Sequence, residues 1–137
     1  MHYNANIVPQ LTSVTDSYGR TLSFTYKFGK IDSITTPDGQ VLTYSYNFEN
    51  YLIHVGYPTS PATGQSYRYT PDASPAQLTG IIDENGNRFA SWTYLAFPDG
   101  RATSSQHAGG AGLTKVSYND ADGTRTVTYA LGEQEGL

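Results

Sequence analysis

The sequence predicts an all-β fold: tandem antiparallel β-hairpins laid side by side in one curved sheet. Three observations carry this prediction. The stretch LTSVTDSYGRTLSFTY at 11–26 is answered by IDSITTPDGQVLTYSY at 31–46, a short strand, a glycine turn and an aromatic strand repeated 20 residues on. Polar and apolar residues then alternate strictly: Leu22, Phe24 and Tyr26 against Ser23 and Thr25, and Leu42, Tyr44 and Tyr46 against Thr43 and Ser45. That is the period of a strand with one covered face, and no comparable window has a helical period. Finally, the chain holds 12 Tyr among many Thr and Ser, with only 15% charged residues, a composition that suits a pleated, half-buried surface.

The elements follow in order. Repeats open at Leu11, Ile31, Leu52, Leu78 and, more weakly, Ala102, and close at Tyr26, Tyr46, Tyr69, Tyr94 and Tyr118. The array is expected to span 3–131 as one domain, with about five repeats near 11–30, 31–51, 52–77, 78–101 and 102–125, a partial sixth at 126–131 and a tail at 132–137. First strands are short, as in Leu11–Val14, Ile31–Ile34 and Leu78–Ile81. Turn glycines are expected at Gly19, Gly39, Gly64, Gly86 and Gly112, where positive φ is needed and a nearby Asp or Asn can fold onto the turn backbone. Gly29 and Gly123 mark further hairpin turns. In the fourth repeat Phe89 and Ser91 fall out of phase with Trp92 and Tyr94, which predicts a β-bulge.

Connections between repeats lengthen along the chain. Tyr26 to Ile31 is a short hairpin loop, whereas YTPDASPAQL at 69–78 is a surface loop and SSQHAGGAG at 104–112 reads as a flexible one. Pro58, Pro61, Pro71 and Pro75 crowd the third repeat, where missing ladder N–H groups predict the weakest pairing. Ten strands at the usual spacing would make a sheet about 48 Å wide, which must twist and curl. Such a sheet has two open edges that invite pairing.

The 137 residues are enough for one domain but not for a deep core, since only 37% are apolar. With a net charge of −4 and no Lys/Arg run, the chain lacks the footprint of nucleic-acid binding. It has no cysteine, which removes disulfides, thiolate chemistry and cysteine-based metal sites. No apolar run is long enough for a membrane helix, and MHYNANIVPQ has no signal-peptide pattern.

Candidate chemistry is sparse. His2, His54 and His107 stand apart, in a tail, a strand and a loop. Asp120-Ala-Asp122-Gly123 resembles part of a calcium loop, but with Gly123 in sixth place the twelfth is Tyr129 rather than Glu. A hairpin turn explains it better. Asp83, Glu84 and Asp99 are the carboxylates a glycosidase would need, yet turn motifs already account for Asp83 and Asp99. There is no G-x-S-x-G elbow, and no Lys-Ser/Thr follows Gly109-Gly110-Ala111-Gly112. The expectation is therefore a chain with no enzymatic activity, metal or cofactor. The aromatic set Phe24, Tyr26, Tyr44, Tyr46, Tyr67, Tyr69, Trp92, Tyr94 and Tyr118 has two readings. It packs a wall, or it forms a stacking platform for sugar rings.

Residues 11–26 with the Gly29-Lys30-Ile31 turn resemble the RHS repeat, also called the YD repeat, whose pattern is approximately Y-D-x-x-G-R-L-T-x-V-x-D-x-x-G-x-x-x-x-Y-x-Y. Pro37-Asp38-Gly39 with Tyr44-Ser45-Tyr46, and Asp83-Glu84-Asn85-Gly86, resemble it as well. The Asp after the closing Tyr is replaced throughout, by Lys27, Asn47, Thr70, Leu95 and Asn119. The resemblance implies a segment of a spiral β-shell of the kind that encloses a C-terminal toxin domain in bacterial polymorphic toxins, in insecticidal toxin complexes and in the related teneurins. It implies secretion or the cell surface as part of a larger exported protein. The implied partners are further repeats of the same or another chain at the sheet edges, a toxin cargo, or carbohydrate. The D-P-x-G-L cleavage segment of that family is absent from the sequence.

Overall fold

The structure is a computed structural model and describes residues 9–71 and 75–130. It is all-β. Its strands are β1 (Ser13–Thr15), β2 (Thr21–Lys27), β3 (Lys30–Thr35), β4 (Val41–Tyr46), β5 (Leu52–Tyr57), β6 (Thr63–Tyr69), β7 (Leu78–Ile82), β8 (Arg88–Tyr94), β9 (Ala102–His107), β10 (Thr114–Asn119) and β11 (Thr124–Tyr129). The only helical turn among the described residues is the 3-10 segment Ala108–Gly110. The chain divides into two compact units, one ending at Thr63 and one beginning at Gly64. Within each, antiparallel strands lie in chain order, as tandem hairpins require.

In the first unit, cross-strand register sorts the side chains by face. Val14 pairs with Leu22, Phe24 with Ile34, Ile34 with Leu42, and Tyr44 with Val55. The opposite face is a carpet of hydroxyls: Ser13 opposite Ser23, Ser23 opposite Thr35, Thr25 opposite Ser33, and Ser33 opposite Thr43. Hydroxyls on paired strands bond at two places, Thr25 to Ser33 at 2.7 Å and Thr15 to Thr21 at 2.8 Å. The second unit keeps the same division, with Tyr67 opposite Ile81 and Ile81 opposite Ala90 on one face. Thr93 pairs with Ser104, and Ser104 with Lys115, on the other. Val55 and Ala90 are the only buried apolar side chains among the described residues, and both lie on the apolar faces. With so little core, cohesion comes from ladder hydrogen bonds and cross-strand pairs.

Four of the turns share one plan. Asp16 donates its N–H to the carbonyl of Arg20 and accepts from the Gly19 N–H, while its carboxylate accepts from the N–H groups of Tyr18 and Arg20. Asp83 repeats every bond with Asn87, Gly86 and Asn85. Thr36 takes the same place before Gly39, and Asn47 before Asn50, which itself has φ +70°. At Asp16, partial desolvation opposes ionisation but is outweighed by the bonds from Arg20 and Tyr18, so the carboxyl sits below its ordinary range.

Of the turn glycines read from the sequence, Gly19, Gly29, Gly39, Gly86, Gly112 and Gly123 have positive φ. Gly64 is a correction: it is a strand residue of β6. Thr59 closes that turn instead, accepting from the Thr63 N–H at 3.0 Å and bonding the Thr63 hydroxyl at 2.7 Å. A second correction concerns the loop expected at 104–112. Ser104 to His107 belong to β9 and pair with β8, leaving only the segment from Ala108 to connect to β10.

Candidate functional site

The feature that recurs through the molecule lies at the closing tyrosines. Register shifts occur between Thr25 and Tyr26, Ser45 and Tyr46, Arg68 and Tyr69, and Thr93 and Tyr94. In each case one residue of the next strand is left over: Asp32, Ile53, Thr79 and Thr103. Each of these four tyrosines then pairs with the residue that opens the following repeat, Ile31, Leu52, Leu78 or Ala102. The bulge has a physical purpose. Ile31 and Ile34 are three apart, so plain alternation would send them to opposite faces. The extra residue Asp32 lets Ile31 pair with Tyr26 and Ile34 with Phe24 on one face.

The tyrosine hydroxyls complete the device by reaching back. Tyr26 donates to the Leu11 carbonyl at 2.8 Å, Tyr94 to Leu78 at 2.6 Å, and Tyr118 to Ala102 at 2.6 Å. Each acceptor is the residue that opens that tyrosine's own repeat. One side chain thus joins the start and end of a repeat, and at Tyr26 and Tyr94 its backbone pairs with the next. Burial raises the Tyr94 phenol above its ordinary value, so the neutral donor form persists. At Tyr46, burial, Tyr44 and Asp32 have the same effect, and the Lys30 ammonium lies 5.5 Å from its ring.

All nine aromatics singled out in the sequence are half-buried. Tyr67 donates to the Gln65 side chain at 2.8 Å. Trp92 and Tyr94 border an open cleft of about 1060 Å³ in the second unit, together with Arg88, Gln77 and Phe97. A smaller cleft of about 490 Å³ in the first unit lies between two turn tips that hold Phe28, 92% exposed, and Phe48, 93% exposed. The bulge expected in the fourth repeat is present, with Phe89 the extra residue opposite Ile81 and Ile82.

His54 stands in β5 opposite Ser45, and His107 ends β9 with Phe89 edge-on at 5.7 Å. His2 lies outside the described residues, as do the ends of the expected array and its tail. No group of three or more His, Cys, Asp or Glu forms a metal site among the described residues. Asp83 is engaged in its own turn, and Asp122 caps the last hairpin through the Thr124 N–H at 2.8 Å.

The sequence reading missed Arg101. Its guanidinium forms two parallel 2.8 Å bonds to Asp120, holds Asp99 as well, and lies 4.4 Å from the ring of Tyr118. Arg125 lies 5.3 Å from the same ring. Side-chain bonds from Arg101 hold both Asp99 and Asp120 below their ordinary range, and they hold Arg101 protonated. Also missed was Gln77, whose amide donates to the Gly100 carbonyl at 2.5 Å and ties two inter-repeat loops together. One signal was available for the bulges: the apolar pairs Ile31/Ile34, Leu52/Val55 and Leu78/Ile81 share a spacing of three.

No family model matches the chain, and no curated protein matches it. No helix among the described residues is long and apolar enough to cross a membrane.

Proposed function

We propose that this chain is a non-enzymatic structural segment of an RHS/YD-like repeat array. It builds wall in a β-shell that encloses or presents a toxin domain of an exported bacterial protein. Secretion or display at the cell surface, further repeats of the same or another chain at the edges and a cargo domain belong to this reading. The observation that carries it is a recurrence at the closing tyrosines: a bulge before Tyr26, Tyr46, Tyr69 and Tyr94, and a hydroxyl bond back to the repeat's opening carbonyl from Tyr26, Tyr94 and Tyr118. A chain built for catalysis concentrates polar groups at one place. Here the polar side chains are spent on turns and cross-strand hydroxyl pairs.

Modularity is the testable content. Repeats that contact only their neighbours tolerate an added copy. A variant with a second copy of 31–51 placed directly after Tyr51 should fold, gain strand signal in circular dichroism and unfold in urea with a steeper slope. Failure to fold would overturn the array reading.

A second reading, a carbohydrate-binding module, is favoured by the cleft that Trp92, Tyr94 and Phe97 border. Trp92 is the single tryptophan of the chain, so its fluorescence reports on that cleft alone. Unchanged emission across a panel of neutral and acidic oligosaccharides would eliminate this reading.

A further inference from the structure

The two ends of the strand order are unlike each other. β1 is a three-residue strand, and short edge strands are a common defence against pairing. β11 has six residues, all exposed, and among the described residues it pairs only with β10. Its Val127 is 47% and its Tyr129 51% exposed.

The ladder shows which backbone groups β11 leaves free. The Ala130 N–H donates to the Leu113 carbonyl at 2.7 Å, one step beyond the Thr114–Tyr129 pair. Hydrogen-bonded and non-bonded pairs alternate along an antiparallel ladder. Thr124, Thr126 and Thr128 therefore turn their backbone groups to β10. Arg125, Val127 and Tyr129 turn theirs outward.

These three residues are also self-complementary. In the order Arg125-Thr126-Val127-Thr128-Tyr129, the threonines are symmetric about Val127, with a cation at one end and an aromatic ring at the other. Arg125 already favours a ring, lying 5.3 Å from that of Tyr118. We propose that β11 is a docking edge for a second copy of this chain, the two β11 strands pairing antiparallel about a two-fold axis at Val127.

In this register Val127 meets its own symmetry mate, and Arg125 of each copy meets Tyr129 of the other. All three outward-facing residues then find backbone partners, and each arginine gains a cation–π contact. The two arginines lie on opposite sides of the axis, so like charges do not face each other. The interface is isologous and closes at two copies. The inference rests on the array reading only for the in-order strands that leave β11 at an edge.

The chain has no cysteine, so a single introduced one is a clean probe. Residues in a hydrogen-bonded antiparallel pair have Cα atoms about 5.5 Å apart, within disulfide range. Val127→Cys should give a disulfide-linked dimer under mild oxidation. Arg125→Cys should not, because its mate lies four residues further along the partner strand. Light scattering of the unmodified chain should show the mass rising with concentration from 14.9 kDa to twice that value and no further.

Val127→Pro removes only an outward N–H, so it should leave a folded chain of monomer mass, judged by circular dichroism. A monomer at every concentration would overturn the pairing. So would growth beyond two chains, a dimer that survives Val127→Pro, or equal cross-linking at Arg125→Cys. None of these results bears on repeat insertion, which judges the wall reading separately.

Discussion

Arg101 grips Asp120 through two parallel bonds of 2.8 Å, joining the turn that precedes β9 to the turn that follows β10. The bonds from Arg101 place the Asp120 and Asp99 carboxyls below their ordinary value of 3.8. A carboxyl with a lower pKa folded than unfolded stabilises the fold above the unfolded value. That contribution is lost as pH falls through the folded value. The urea midpoint should thus hold between pH 7 and pH 5 and fall below about pH 4. Asp120→Asn should lower the midpoint at neutral pH and flatten the acid slope. An acid slope equal to that of the unmodified chain would remove Asp120 from this role.

Gly39 has φ +84°, and a Cβ there would meet no atom within 4 Å. Substitution is costly because of backbone strain alone. Gly39→Val should destabilise by about 1–2 kcal/mol, the cost of forcing a branched L-residue into the left-handed region. Gly39→Asn should cost less, since Asn tolerates that region, as Asn50 does at φ +70°. Equal urea midpoints for the valine variant and the unmodified chain would contradict the turn assignment.

The Gln77 amide holds the Gly100 carbonyl across 23 positions of sequence. Gln77→Ala should release the loop 95–101 without unfolding the strands. Limited proteolysis should then cut faster within that loop, with circular dichroism unchanged. A cutting rate that stays the same would show that the loop is held by other contacts.

The fold was legible in the sequence because its signals are local. Period-2 alternation in Leu22–Tyr26 and Leu42–Tyr46 located β2 and β4, and Asp-x-x-Gly and Pro-Asp-Gly located their turns. Where the turn chemistry changed, the reading slipped. Thr59 and Thr63 close a turn by hydroxyls, so Gly64 was free to enter a strand. Polar strands were also hard to see: Ser104 and Ser105 read as loop residues, yet they sit on a sheet whose second face is made of hydroxyls. The Arg101 cluster was illegible, because it joins residues 19 apart through a side chain and no local pattern marks it. The tyrosine bonds lay between these cases. Their 15- and 16-residue intervals are visible in the chain, but the bulges that accompany the bonds of Tyr26 and Tyr94 depend on register.

The central claim is that the first, fourth and fifth repeats are closed by the same tyrosine bond. It is tested by urea unfolding of Tyr26→Phe, Tyr94→Phe and Tyr118→Phe, singly and together, with Tyr44→Phe as control. Each single change removes one hydroxyl bond and leaves the ring, so each should cost about 0.5–1.5 kcal/mol. The three sites lie in different repeats, so the losses should add. Tyr44, whose hydroxyl has no partner among the described residues, should cost less than any of them. Three similar, additive losses are the predicted result. One dominant loss with two near zero would contradict a shared closing bond, as would a Tyr44→Phe effect of the same size.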